Sequence, residues 1–332
     1  MAGDDDLTLM IRAAWLYHVA GLNQAETAER LGTTRARVNR LLAEAREAGH
    51  VTVVVDDRLA GALPLEDALA ARFGLSFCHV TPPTGLCGEA GERAAFRAVG
   101  LAAANMLRRE LARRPDLTIG VAWGRTLEEM SRHVLGVSAP RARFVALMGS
   151  LSASAAANPF EVVHNLARRT GAEGIFLPVP FVADSAADRE MLLSQRLVAQ
   201  AFAVARSSDI AFISVGELTE TALIRQRNMI SAHDLARLRA AGAVADTTGR
   251  FFAGDGTLVA DEIVGRMLAV DLSQVKGRIV LLAAGRAKKE AAMAVMRSGL
   301  AAGAILDGDL AEAIAAGGAG DAGGAAGGKA QS

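Results

Sequence analysis

Apolar residues recur at helical spacing over about the first 50 positions of the chain, and beyond them they gather into short runs separated by long helical stretches. Residues 7–19 have the pattern of a helix whose N-cap is predicted to be Asp6. Asn23 and Glu26 form a variant of the capping box, so a second, short helix is predicted to begin there. We expect that helix to end at Leu31.

A third helix is predicted after a tight turn. Gly32 supplies the left-handed residue that commonly ends a helix. Thr33 or Thr34 can cap the next helix, which should run to about Ala48. The β-branched run at 51–55 then predicts a strand. This order of elements is typical of a winged helix-turn-helix unit.

From about residue 65 the chain alternates between predicted strands and helices. The strand-like runs are almost wholly apolar and occupy residues 77–81, 117–123, 143–149, 210–216, 278–285 and 304–307. Long helical stretches, such as 88–113 and 187–206, separate them. Short apolar strands of this kind indicate a mostly parallel sheet covered by helices on both faces, the doubly wound, Rossmann-like arrangement of the α/β class.

Length and composition agree with more than one folded unit. The 332 residues exceed one small domain, and 51 % apolar against 4 % aromatic residues favours a helix-rich α/β protein. We predict a helix-turn-helix domain over 1–56, a linker over 57–64 and an α/β domain over 65–316. The Gly/Ala-rich tail, 317–332, is predicted to be disordered.

The third predicted helix separates apolar from basic residues. Its inward stripe has helical spacing and consists of Val38, Leu41, Leu42 and Ala45. Measured from Val38 at about 100° per residue, Arg40 lies about 200° away, Arg37 about 260°, Asn39 about 100° and Arg35 about 60°. The outward face is therefore small and basic at the end that a recognition helix inserts into the major groove. Arginine can bind guanine and asparagine can bind adenine through paired hydrogen bonds, so this face suits DNA reading.

The net charge of the chain is zero, but its charges are unevenly placed. Residues 30–46 carry five arginines against one acid, whereas residues 1–29 carry one arginine against five acids. Electrostatic binding to nucleic acid depends on such local concentration. The alternative interpretation is a solvated helical hairpin attached to an enzyme.

Several classes of site lack their usual signatures. Cys78 and Cys87 form no CxxC pair and the six histidines are scattered, so no metal site is predicted. Neither G-x-x-x-x-G-K-[ST] nor G-x-G-x-x-G follows a strand, so we expect no nucleotide or other cofactor. No uncharged apolar run has the length of a membrane span, and the acidic start is unlike a signal peptide. We therefore expect a cytoplasmic protein without a membrane partner.

A strand-to-helix turn within 119–130 is a candidate binding site. Gly124 ends the predicted strand, and Arg125 and Thr126 open the helix. Backbone N–H groups, a hydroxyl and a cation thus meet at a helix N-terminus, on the edge where open parallel sheets bind ligands. Two interpretations stay open: an anion or polyol site, and an ordinary capped turn.

The stretch "LYHVAGLNQAETAERLGTTRARVNRLLAEAREAGHV" resembles the helix-turn-helix of the SorC family of sugar-binding transcriptional regulators. It is similar to the family's G-L-[ST]-Q-x-E-I-A and L-G-[IV]-S-R-x-x-V-S-R-L-L motifs. Asn39 stands where serine or threonine is more common. The resemblance implies contacts to double-stranded operator DNA from Gln24, Thr34, Arg35, Arg37, Asn39 and Arg40.

The resemblance continues to about residue 315. "IGVAWGRTLEEM" is similar to the family's G-V-G-W-G-x-T-L segment, and "VALMGS", "NPFEVVHNLARRTGAEGIFLPVP", "GAVADTTGRFF" and "LLAAGRAKKEAAMAVMRSG" match further segments. It implies that a sugar, polyol or sugar-phosphate effector is bound by Gly124, Arg125, Thr126, Gly149, Asn158, Asp246 and Lys288. Asp246 can accept hydrogen bonds from hydroxyls or fix a turn, and Lys288 can bind a phosphate or hydroxyls.

The sequence therefore predicts a DNA-binding regulator, not an enzyme, whose operator affinity depends on the effector. A ligand changes DNA affinity only if it favours one arrangement of the protein over another. The resemblance implies that a homo-oligomer, a dimer or tetramer, spaces two DNA-binding domains for two half-sites. One alternative is a sugar-phosphate isomerase-type enzyme with an accessory helix-turn-helix, for which Glu217 and Asp246 are candidate acid–base residues. Another is an architectural DNA-binding protein.

Overall fold

The computed structural model describes residues 2–51, 63–150 and 159–317. Contacts divide the chain into two units, Met1–Asp56 and Asp57–Ser332. Several predicted features lie outside the described residues: 52–55 of the predicted strand, the predicted linker up to residue 62, Asn158, and the tail after Gly317.

The described residues of the first unit, called the head below, form three helices: α1 (Ala2–His18), α2 (Gln24–Arg30) and α3 (Arg35–Glu47). The predicted capping box opens α2. Asn23 accepts hydrogen bonds from the backbone of the first turn, and the Glu26 carboxylate accepts one from the Asn23 N–H. This reciprocal pairing satisfies N–H groups that have no partner inside the helix, and so it fixes where α2 begins.

The turn between α2 and α3 has the predicted backbone. Gly32 adopts a φ of +62°, which glycine tolerates without strain, and Thr34 caps α3. The buried residues of α3 are the predicted stripe, Val38, Leu41, Leu42 and Ala45. The prediction that Asp6 caps α1 is wrong, because the helix already begins at Ala2 and the Asp6 carboxylate instead pairs with Arg37.

The second unit alternates helices and strands. In chain order they are α4 (Leu63–Phe73), β1 (Phe77–Thr81), α5 (Gly88–Arg113), β2 (Thr118–Val121), α6 (Arg125–His133), β3 (Arg143–Ala146), α7 (Pro159–Thr170), β4 (Glu173–Ile175), α8 (Ala186–Ser194), α9 (Arg196–Arg206), β5 (Ile210–Ser214), β6 (Gly216–Glu217), α10 (Leu223–Gln226), α11 (Ala232–Ala240), β7 (Ala243–Thr247), β8 (Arg250–Ala253), β9 (Arg278–Ala283), α12 (Lys289–Arg297), β10 (Gly303–Asp307) and α13 (Gly308–Ala316). Short 3₁₀ segments follow β8 and β9.

Seven of the described strands form one parallel sheet in the order β1-β10-β9-β5-β2-β3-β4. The connections from β1 to β4 run toward one edge, and those from β4 to β10 run back toward the other. Right-handed crossovers therefore place α5, α6 and α7 on one face, where α6 packs on both α5 and α7, and α9 and α12 on the other. The last helix, α13, packs against α12. This confirms the doubly wound, mostly parallel α/β fold. A small antiparallel sheet, β6-β7-β8, adjoins it.

The predicted elements differ from the observed ones in three respects. The helix predicted over 187–206 divides at Gln195, whose extended backbone (φ −66°, ψ 130°) separates α8 from α9. The three-residue strand β4 and the small antiparallel sheet were not predicted from the sequence. All six strands predicted after residue 65 are present, but β2, β3, β5 and β9 each end at least two residues before the next glycine, because the chain turns there into the loops described next.

Candidate functional site

A cavity lies at the carboxyl ends of β2 and β5. These neighbouring strands are the point where the connections reverse, since β2 leads on toward β3 and β5 leads back toward β9. Open α/β sheets bind ligands at such a switch point because the two departing connections leave a crevice there. The space is about 510 Å³, open solvent at its mouth included. Its walls are Ala122, Trp123, Gly124, Arg125, Ser214, Val215, Gly216, Glu217, Leu223, Ile224, Asp246, Thr247, Thr248 and Lys288.

The N-terminus of α6 forms one side of the cavity. Gly124, the N-cap, has a φ of +130°, and a Cβ there would lie 2.5 Å from the Ser214 hydroxyl oxygen, so only glycine fits. The Ser214 hydroxyl donates to the Trp123 carbonyl at 2.6 Å and joins the end of β5 to the end of β2. No described side chain caps α6, which leaves its first N–H groups available to a ligand oxygen.

Thr126 and Asp246 each keep a buried polar atom without a hydrogen-bond partner among the described residues. Thr126 is 1 % exposed and its Oγ1 is unpaired beside the cavity; Asp246 is 5 % exposed and its Oδ1 is unpaired within the cavity wall. Buried polar groups are normally paired, because losing water without a replacement costs about 1–3 kcal/mol. The two atoms therefore mark places where a polar ligand group fits.

The charges around the cavity are balanced. Burial raises the pKa of Asp246 to about 7, although a Gly249 N–H and the nearby Lys288 oppose the shift. Burial lowers the pKa of Lys288 to about 8, and Glu217 opposes that shift. The Lys288 ammonium donates to the Val215 carbonyl at 2.7 Å, which holds it at the rim of β5.

Arg125 contributes the second cation of this region. Its guanidinium is half-exposed, lies 3.8 Å from the Glu92 carboxylate and stacks on the Phe96 ring at 4.2 Å. The Lys288 ammonium lies 5.6 Å from the centre of the same ring. Together with Asp246, the cavity therefore offers hydroxyl acceptors and hydroxyl donors side by side, which is the chemistry that a polyhydroxylated ligand needs.

Four of the predicted effector residues lie in the cavity wall: Gly124, Arg125, Asp246 and Lys288. A fifth, Thr126, lies beside the cavity. Gly149 lies elsewhere, because its N–H donates to the Leu268 carbonyl and a Cβ there would collide with the backbone of Pro180. Glycine is needed at position 149 because the backbone of Pro180 passes too close for a side chain. Asn158 lies outside the described residues.

Three residues of the cavity wall, Ser214, Thr247 and Thr248, were not predicted from the sequence. The Thr247 hydroxyl donates to the Ser214 carbonyl at 2.7 Å, so the small sheet is tied to the large one at the cavity. Thr248 is a non-glycine residue with a positive φ. The threonine pair before "GR" in "GAVADTTGRFF" was a usable signal, because a two-residue turn there forces one threonine into left-handed backbone.

Four of the residues predicted to contact DNA are exposed on α3, namely Arg35, Arg37, Asn39 and Arg40, while Gln24 opens α2. Gln24 joins two of them, since its amide accepts from Arg35 Nε at 3.3 Å and donates to Asn39 Oδ1 at 3.4 Å. Arg37 pairs with Asp6 at 2.7 Å. Arg40 is exposed and forms no hydrogen bond or ion pair with another described residue of the head. Thr34 is engaged as the cap of α3.

No described helix is long and apolar enough to cross a membrane. Nor does the described part of the chain bring together three or more metal-ligating side chains.

Known proteins with similar sequences identify the family of this chain. Residues 57–316 match the family model Sugar-bind, described as "Putative sugar-binding domain". The erythritol catabolism regulatory protein EryD of Brucella abortus is 36 % identical over 315 residues, covering 95 % of this chain and 98 % of EryD. The chain belongs to the SorC family of sugar-binding transcriptional regulators. The transcriptional regulator LsrR of Escherichia coli is a further relative, 30 % identical over 310 residues, with 91 % of this chain and 93 % of LsrR covered.

Solved structures share the fold of this SorC-family chain. The full-length sorbitol operon regulator SorC of Klebsiella pneumoniae has a TM-score of 0.70 at 23 % identity and covers 93 % of this chain and 98 % of its own. A DeoR family regulator from Listeria monocytogenes has a TM-score of 0.69 at 22 % identity and covers 76 % of this chain and 98 % of its own. The relatives are named as regulators, which favours a sugar-controlled DNA-binding regulator over the isomerase alternative.

Proposed function

We propose that the head binds operator DNA through α2 and α3 and that a small polyhydroxylated effector, bound in the cavity at the ends of β2 and β5, controls that binding. The observation that carries the proposal is the buried Asp246 carboxyl, whose Oδ1 has no described partner, in the same cavity wall as the uncapped N-terminus of α6. A ligand with several hydroxyls can satisfy an acceptor and a set of N–H donors at once.

Among polyhydroxylated compounds, an unphosphorylated polyol is the first effector to test. The relative EryD is named for erythritol catabolism. The cavity supports this choice, because Asp246 and Glu217 present carboxyl oxygens that can accept from hydroxyls, whereas a carboxylate repels a phosphate. A sugar phosphate is the second candidate, since Arg125 and the N-terminus of α6 suit an anion.

On the DNA side, Arg40 contacts DNA directly, and Arg35, Asn39 and Gln24 act as one hydrogen-bonded group. Arg37 is assigned to the same face, with Asp6 as its intramolecular partner. A homo-oligomer, dimer or tetramer, in the cytoplasm would present two heads to two half-sites. Effector binding would then change operator affinity by favouring one arrangement of the oligomer, as linkage requires.

The test combines two measurements on the full chain. The operator is selected from random DNA, and its affinity is measured with and without erythritol, ribitol, sorbitol and a polyol phosphate. Differential scanning calorimetry with the same compounds identifies the ligand, because a compound that binds only the native state raises its melting temperature. A polyol that raises the melting temperature and shifts operator affinity supports the proposal.

Two outcomes would overturn parts of it. Turnover of an aldose or ketose phosphate by the purified chain would favour the isomerase alternative. Recovery of no specific DNA sequence by a folded chain would contradict the DNA-binding assignment of α3.

A further inference from the structure

Thr248 has an unusual backbone conformation for its residue type. It forms, with Gly249, the two-residue turn between β7 and β8, and the two φ angles are +51° and +72°. Such a turn needs left-handed backbone at both positions and normally contains Asn, Asp or Gly. A β-branched side chain with a positive φ is a genuine outlier, because its branches crowd the neighbouring backbone.

One other non-glycine residue in the described part of the chain has a positive φ, and it provides a contrast. Asn228 has a φ of +54°, but asparagine enters left-handed backbone readily, and this residue is exposed and outside the cavity wall. Thr248 is therefore the position where sequence and backbone conformation conflict. Conflicts of this kind are retained chiefly at binding sites, where the side chain has a task that an unstrained residue cannot perform.

The surroundings of Thr248 indicate what that task is. The residue is 3 % exposed and lines the cavity two positions after Asp246. Its hydroxyl has one described partner, the Thr247 hydroxyl at 3.5 Å, which itself donates to the Ser214 carbonyl. The Thr248 hydroxyl can thus only donate toward Thr247, and its oxygen keeps a lone pair for a ligand hydroxyl.

We propose that Thr248 is a specificity-determining residue of the cavity, which accepts a hydrogen bond from a hydroxyl of the effector at the expense of a strained turn. The inference rests on the proposed function, because it assumes a polyhydroxylated ligand in this cavity. It adds a residue that neither the sequence motifs nor the family resemblance assigned.

Three substitutions separate the hydroxyl from the strain. Thr248→Val keeps the β-branch and removes the hydroxyl, so its melting temperature without ligand should match the wild type while its affinity for erythritol falls about tenfold, the effect of one lost hydrogen bond. Thr248→Asn creates the Asn-Gly sequence that this turn favours, so its melting temperature should rise by about 2–4 °C while its affinity also falls. Thr248→Ser keeps the hydroxyl and should bind erythritol within about threefold of the wild type.

A higher melting temperature together with a lower affinity in Thr248→Asn distinguishes a binding role from a structural one, since replacing a merely structural threonine would lower the melting temperature. Asn228→Gly is the matched control: it alters a left-handed position outside the cavity and should leave the affinity for erythritol unchanged. Isothermal titration calorimetry measures the affinity, and scanning calorimetry the melting temperature.

Two results would overturn the inference alone: a Thr248→Val variant that binds erythritol like the wild type, or a Thr248→Asn variant that is less stable than the wild type. A wild-type chain that binds none of erythritol, ribitol and sorbitol overturns the polyol effector itself, and the Thr248 contact with it.

Discussion

Replacing Asp246 by asparagine should stabilise the chain, and the gain should depend on pH. Asp246 is buried in the cavity wall, and burial raises its pKa from 3.8 to about 7. A carboxyl with a raised folded-state pKa holds its proton more tightly in the native than in the unfolded chain. The free energy of unfolding is therefore highest below the unfolded-state pKa of Asp246, falls as the pH rises from about 4 to about 7, and does not fall further on this account above pH 7.

The size of this effect follows from the shift. About three pKa units at 1.36 kcal/mol each correspond to about 4 kcal/mol lost above pH 7, and this figure already includes the attraction of Lys288. An amide in place of the carboxyl carries no charge at any of these pH values, so Asp246→Asn should be about 4 kcal/mol more stable than the wild type at pH 8. The difference should shrink to less than half of that near pH 5.

Urea unfolding followed by tryptophan fluorescence measures this difference. Trp123 lies in the cavity wall and Trp15 in the head, so a Trp15→Phe background leaves a single reporter of the α/β unit. Asp184→Asn is the control, because Asp184 is exposed and its amide should bring no gain that grows with pH. An Asp246→Asn gain that is absent at pH 8, or equal at pH 5 and pH 8, would refute the assignment of a desolvated carboxyl at this position.

Three further variants test the head and the α6 side of the cavity. Arg40→Ala should weaken operator binding at least tenfold by removing a DNA contact and leave effector binding intact, whereas the control Arg12→Ala on α1 should leave operator binding unchanged. Equal operator affinities of these two variants in a gel-shift assay would contradict the assignment of α3 as the recognition helix. Thr126→Ala should weaken effector binding about tenfold in titration calorimetry yet cost less than about 1 kcal/mol of stability, because its hydroxyl has no described partner to lose. The control Ser131→Ala should instead lower stability and leave effector binding unchanged, because it loses the hydrogen bond from the Ser131 hydroxyl to the Glu128 carbonyl. Gly124→Ala should cost about 1–3 kcal/mol in urea unfolding and abolish the effector response, since its Cβ meets Ser214; Gly136→Ala, strained but with open space around it, should keep the response.

The sequence predicted the framework well because the framework is locally encoded. The apolar runs of β1 and β9 and the uninterrupted helical pattern of α5 each carry their own signal, and so does the Asn23 capping box. The break between α8 and α9 has no proline or glycine to announce it, so the periodic pattern concealed Gln195.

The candidate site was predictable only in part, for a different reason. Gly124, Arg125 and Thr126 follow one another at the end of a strand, so spacing alone pointed to them. Ser214 and Thr247 become cavity residues only when β5 and the small antiparallel sheet meet, which is a tertiary contact that leaves no local trace. The ion pair between Arg37 and Asp6 likewise joins residues of two helices, and helical register placed Arg37 on the outward face without indicating this partner.

That pair has a consequence for the ionic atmosphere of the operator complex. DNA binding releases about one condensed counterion for each phosphate that a free cation neutralises, and the salt dependence of affinity counts those ions. Asp6 already neutralises Arg37, so while this pair persists the arginine neutralises no phosphate and releases no condensed cation from the DNA. The head should therefore behave in a salt titration as though it had one arginine fewer than its sequence shows, and removal of the Asp6 carboxylate should restore the missing ion.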